Sequence, residues 1–320
     1  MTVLVTGASG FVGRALVTHL ARHEQRVVRA ASRRAPEPQS APRVEMARAP
    51  DLNAASEWRA ALAGCTAVVH AAARVHVMRD DATDPLAAFR SVNVAGTRRL
   101  AEQAAAAGVR RFVFVSSIKV NGERTEPGGP FTNRSPAAPC DPYGVSKWEA
   151  ECALHEVSAR TGMEVAIVRP VLVYGPGVGA NFRRLLQALR AGVPLPLRNV
   201  DNRRSLVALA NLTSLVERLL THPGAAGHTF LVSDGDDLST PELLRRAARA
   251  IGTTARLVPC PAGLLRAAAS LAGQADVADR LLGSLQVDIS DTTSRLGWVP
   301  PVTVDAALAD TAHAFQASDT

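Results

Sequence analysis

Lysine is nearly absent from this chain of 320 residues: of 36 basic residues it supplies two, Lys119 and Lys147, and arginine supplies the rest. Tyrosine is as scarce, at Tyr143 and Tyr174. The four cysteines, Cys65, Cys140, Cys152 and Cys260, include no Cys-x-x-Cys pair, which argues against a disulfide framework or a zinc site and for reduced thiols. No apolar run reaches the roughly 18 to 20 residues of a bilayer-spanning helix, since arginine interrupts even "PAGLLRAAASLAGQA". The opening "MTVLVTGASG" enters a strand-like run rather than a signal peptide. A soluble cytoplasmic protein without membrane insertion is the expectation. The formal charge of +7 does not point to nucleic acid, because the arginines are interleaved with acids and alanines along the whole chain and form no basic tail. Such a dispersed excess would draw in an anionic substrate.

What is present is an alternation of short Val-rich runs with longer periodic segments. "VLVTG", "RVVRAA", "TAVVHAA", "RRFVFVSS" and "EVAIVRP" are separated by helical stretches at Phe11 to Arg22, Ala54 to Leu62, Pro85 to Ala107 and Pro142 to Thr161. This order predicts an α/β fold, a Rossmann-type doubly wound parallel sheet. A dinucleotide-binding domain over 1–170 is expected, with segments near 204–233 returning to it. A smaller, mostly C-terminal substrate-binding region is expected over 171–320, where "YGPGVG", "VPLPL" and "VPCPAG" break the pattern.

"TGASGFVGRALVTHL" sets Gly7, Gly10 and Gly13 between the first strand and an amphipathic helix. Glycine there lets the backbone approach a pyrophosphate, and the helix N-terminus offers free N–H donors. The end of the second strand distinguishes the two nicotinamide cofactors, because a carboxylate there binds a ribose 2'-hydroxyl and repels a 2'-phosphate. No acid is present: Ala31 and Ser32 are followed by Arg33 and Arg34. NADP(H) is therefore favoured, with NAD(H) left open. Asp51 is a candidate acceptor for the adenine amino group.

Tyr143 and Lys147 lie four apart in "DPYGVSKWEA" and share one face of a helix. An adjacent ammonium favours a phenolate, and bringing a tyrosine from about 10 to near 7 takes about 4 kcal/mol. That would make Tyr143 a usable acid or base. Ser116 and Ser117 end a buried strand, where the ligands of doubly wound sheets gather, and supply a hydroxyl beside the tyrosine. Lys119, in the following loop, is expected to face the cleft.

With "TGASGFVG", "HAAA", "FVFVSSIKVNG", "YGVSK" and "RPVLVYGPG" in this order, the chain resembles the extended short-chain dehydrogenase/reductases, specifically the nucleotide-sugar epimerase/dehydratase group. Within it, the bacterial enzymes of surface-polysaccharide synthesis are the most similar. The resemblance implies that Tyr143 donates or accepts the proton, that Lys147 lowers its pKa and binds the ribose, and that Ser117 completes a catalytic set. It implies further cofactor contacts from Phe11, Val12, Leu52, Ala71, Ala72, Asn93, Ser116 and Pro170. Asn181 and Arg204 would bind the substrate diphosphate, with Arg280 as a second phosphate ligand and Lys119 beside them. No metal is implied, and a homodimer through the helices at Pro85–Ala107 and Pro142–Thr161 is.

Two departures carry information. Ile118 and Lys119 stand where the dehydratases of the group carry Asp-Glu, which leaves 4,6-dehydration without its acid/base and ranks it low. Asn121 stands where epimerases commonly show tyrosine. The leading expectation is NADPH-dependent reduction of a UDP-4-keto-6-deoxy-hexosamine at carbon 4. The alternatives are a UDP-hexose or UDP-N-acetylhexosamine 4-epimerase with tightly bound NAD and, from a different class, a non-catalytic nucleotide-binding protein.

Overall fold

The computed structural model describes residues 1–33, 43–75, 84–126, 128–271, 279 and 281–318. Among the described residues nine strands run in chain order: β1 (Thr2–Thr6), β2 (Val27–Ser32), β3 (Val44–Arg48), β4 (Ala67–His70), β5 (Arg111–Val115), β6 (Glu164–Pro170), β7 (Leu172–Tyr174), β8 (Leu206–Ala208) and β9 (Thr229–Val232). Seven form one parallel sheet in the order β3-β2-β1-β4-β5-β6-β9, and β7 pairs with β8 apart from it. The chain leaves β1 toward β3 on one side and returns through β4 on the other. The carboxyl ends of β1 and β4 therefore form the switch point at which such sheets bind ligands.

Period-two alternation explains the two cores. Val3, Val5 and Val113 face helices α1 (Phe11–Leu20) and α7 (Leu209–Thr221), whereas Leu4, Phe112 and Phe114 face the opposite layer. That layer holds α3 (Pro85–Phe89), a π turn (Arg90–Ala95), α4 (Gly96–Ala106) and α5 (Pro142–Thr161). A third apolar cluster, including Phe182, Leu186, Leu244 and Leu308, lies among α6 (Ala180–Arg190), α8 (Thr240–Ala250) and the C-terminal helix Val304–Ala317.

Two local expectations change. In place of a helix from Ala54, α2 covers only Arg59–Leu62, because Asn53 and Ser56 hold a turn: Asn53 Oδ1 accepts from the Ala55 N–H at 2.8 Å and Ser56 Oγ from that of Asn53 at 2.8 Å. Strand β3 was not legible because it is a half-exposed edge strand with weak alternation.

Candidate active site

Thr6 ends β1, and the turn that follows is built around close backbone approach. Gly7 has φ +70°, and a Cβ on it would stand 2.8 Å from the Ala72 nitrogen and 2.9 Å from the Ala71 carbonyl carbon. A Cβ on Gly13 would lie 2.0 Å from the Gly7 oxygen. Gly10 caps α1 without a side-chain acceptor, and no acid occupies the first turn, which includes Phe11 and Val12. The turn is fixed from below by a buried polar column: Thr6 Oγ1 meets His70 Nδ1 at 2.6 Å, and His70 Nε2 meets Thr97 Oγ1 at 2.9 Å. Burial, then the nearby Lys147 charge, pushes His70 down to about 3, so it is neutral.

At the tip of β2 the Ser32 hydroxyl is buried and without a hydrogen-bond partner. Arg33, beyond it, lies 3.7 Å from Asp51, both well exposed. Arg34 and Arg280 lie outside the described residues, as does the side chain of Asn181, whose backbone is in the first turn of α6. The cradle, the free helix N-terminus and the orphaned Ser32 hydroxyl together fit a dinucleotide laid across the switch point. Leu52 closes on Gly96, whose added Cβ would meet Leu52 Cγ at 2.5 Å.

Helix α5 supplies the reactive face. Asp141 caps it, accepting from the Gly144 N–H at 2.6 Å, and Pro142 occupies the first turn. Tyr143 is half-buried, with its ring edge-on to Phe89 at 6.0 Å. Burial pushes its phenol up to about 12, Asp141 adds in the same direction, and a hydrogen bond with Ser117 opposes both. The expectation of a phenol near 7 is thus not met by the chain alone, because desolvation disfavours the phenolate.

Lys147 is fully buried, donates to the Val115 carbonyl at 2.8 Å and lies over the Phe114 ring. Burial brings it down to about 7, and Glu151 on the next turn opposes that. Its ammonium is therefore held at the end of β5 rather than bonded to the phenol.

Ser116 is hydrogen-bonded within the protein. Its hydroxyl donates to Glu151, and its N–H donates to Val168 at 2.8 Å. Sequence reasoning missed the core of this network: Glu151, wholly buried, pairs with Arg169 through bonds of 3.0 and 2.5 Å, and Arg169 donates to Asn121 Oδ1 at 2.9 Å. The signal was available, since Glu151 falls one turn beyond Lys147 and Arg169 follows the apolar run "VAIV" as a charge inside a buried strand. Asn121 thus serves the ion pair beside Pro170, the last residue of β6.

Asn93, in the π turn, accepts from the Arg74 N–H at 2.8 Å and donates to the Arg74 carbonyl at 3.0 Å and Ser146 Oγ at 2.9 Å. It ties the segment after Ala71 and Ala72 to α5. The Lys119 ammonium, expected beside the substrate, bonds Glu123 at 2.7 Å and Asp141. Arg204 donates to the Gly283 carbonyl at 2.9 Å.

The model of the NAD dependent epimerase/dehydratase family matches residues 3–233. The chain belongs to that family. Among relatives of this epimerase/dehydratase, the UDP-glucose 4-epimerase of Vibrio cholerae is 45% identical over 98% of this chain and 95% of its own. A UDP-glucuronic acid 4-epimerase from Bacillus cereus, in complex with NAD, superposes with a TM-score of 0.80 over both full chains at 19% identity, which shows the fold. MoeE5, in complex with UDP-glucuronic acid and NAD, reaches 0.78 at 26% identity over 99% of this chain and 100% of its own. The chain is thus an enzyme of the nucleotide-sugar type, and the NAD-bound neighbours give no support to a preference for NADP.

Proposed function

We propose that the chain is a UDP-hexose 4-epimerase with NAD as its resident dinucleotide, and that residues 1–170 with 204–233 hold the dinucleotide while the remainder holds the sugar. The observation that supports it best is the Tyr143 phenol beside Ser117, one helical turn from the buried Lys147 ammonium, on a chain similar almost end to end to a UDP-glucose 4-epimerase. When bound, NAD would accept a hydride from carbon 4 and give it back. Ser117 would hold the carbon 4 oxygen. Tyr143 would take the hydroxyl proton as the carbonyl forms and return it after the ring has presented its other face, so the proton ends where it began. Lys147 would bond the ribose and supply positive charge near the phenol.

The resident NAD is supported by the pairing of Arg33 with Asp51, which sets a carboxylate beside the arginine that a 2'-phosphate would need. The second reading, an NADPH-dependent 4-ketoreductase, is favoured by the orphaned Ser32 hydroxyl where the usual acid is absent. The purified protein decides between them. One equivalent of retained NAD supports the epimerase, whereas empty protein that binds NADPH far more tightly than NADH overturns it. A second copy across the outer faces of α4 and α5 belongs to the same reading, and sedimentation tests it.

A further inference from the structure

Arginine has replaced lysine almost everywhere in this chain, yet Lys119 persists. Its ammonium is bonded to Glu123 Oε1 at 2.7 Å and to the carboxylate of Asp141, and all three side chains are partly buried. The other Asp141 oxygen caps α5 at Gly144, two residues from Asp141's neighbour Pro142 and next to Tyr143. The Lys119 backbone N–H is itself held by Ser117 Oγ at 3.2 Å. One short loop therefore joins the hydroxyl beside the phenol, the cap of the helix that carries the phenol, and a cation placed on that cap.

We propose that Lys119 is a positioning residue that neutralises the Asp141 cap, so that the carboxylate can fix the first turn of α5 without its charge opposing ionisation of Tyr143. This rests on the reading of Tyr143 as the proton-transferring group. The Asp141 charge acts on the phenol in the unhelpful direction. Among the other groups around Tyr143, Ser117 is neutral, and Phe89 presents its ring edge-on with Arg74 at 5.5 Å from that ring. Lys147, a turn along, adds positive charge but is bonded to the Val115 carbonyl, so Lys119 is the cation in contact with the Asp141 carboxylate. A compact ammonium fits between two carboxylates, whereas a planar guanidinium fork demands a wider site.

Because the chain has two tyrosines, the phenol can be followed without turnover. In a Tyr174→Phe background, 13C-tyrosine labelling leaves Tyr143 as the sole signal, and its ring-carbon shift is titrated with saturating NAD. Lys119→Met is expected to raise the midpoint by about one pH unit, a tenfold change in proton affinity. Asp141→Asn, which keeps a capping side chain, is expected to lower it, and adding Lys119→Met to that variant is expected to return it to within about twofold of the starting value.

A midpoint unmoved by Lys119→Met, or one that Lys119→Met does not raise back in the Asp141→Asn background, overturns the proposal. The Asp141→Asn arm stands even where Lys119→Met does not fold, and an unmoved midpoint there also overturns it. Protein that shows these shifts but epimerises no UDP-hexose sinks the functional reading and leaves the positioning role intact.

Discussion

The ammonium of Lys147 sits 3.9 Å from the centroid of the Phe114 ring, wholly buried, with the Val115 carbonyl as its hydrogen-bond acceptor. A cation held there is costly to the fold and is brought down to about 7, chiefly by burial. Its folded pKa lies below its unfolded value of about 10.4, so the unfolded chain binds more protons between those two limits. Stability contributed by this site therefore rises with pH from about 7 to about 10. Lys147→Met is expected to unfold at a higher temperature than the wild type at and below pH 7, with the gap closing toward pH 10. Paired thermal melts across that range check it; a gap that is constant with pH contradicts it.

Tyr143→Phe removes the phenolic oxygen and leaves the edge-on packing against Phe89 in place. Turnover is expected to fall by about 10² to 10⁴, with dinucleotide affinity within about twofold of wild type. Steady-state rates and NADH fluorescence titration read the two separately.

Glu151 neutralises Arg169 and faces Lys147, so Glu151→Leu leaves two cations buried without their acid. Loss of about 3 to 5 kcal/mol in urea unfolding is expected, and the pH at which Lys147 loses its proton should fall. Glu151→Leu with Arg169→Met should recover part of that loss, because hydrophobic replacement of both members of a buried pair is better tolerated than removal of one.

Gly13→Ala places a methyl group 2.0 Å from the Gly7 oxygen, which no rotamer relieves. The turn must open, and NAD affinity is expected to fall at least about tenfold by isothermal titration while the seven-stranded sheet persists by circular dichroism.

Much of this architecture could be read before any coordinates. The helix expected over Pro142 to Thr161 is α5 with those bounds, and the structure adds Asp141 as its cap and Gly162 as its left-handed terminus. The glycine turn followed from its place between the first strand and the first helix. What stayed hidden was tertiary pairing. Ser116 looks like a strand-end ligand until Glu151, 35 residues on, claims its hydroxyl. Lys119 looks like a cleft residue until Asp141, 22 residues on, claims its ammonium. The phenol's high pKa was equally illegible, since burial is a property of the packed site and no spacing rule contains it.

The central claim is that Tyr143 and its neighbours serve a hydride that leaves carbon 4 and returns to it. UDP-glucose deuterated at carbon 4, incubated in ordinary water with the purified protein and no added reductant, tests it most directly. The account predicts UDP-galactose that keeps its deuterium at carbon 4, detected by NMR and mass. Deuterium lost to solvent, or no epimer formed while NADPH reduces a 4-keto sugar, would contradict it.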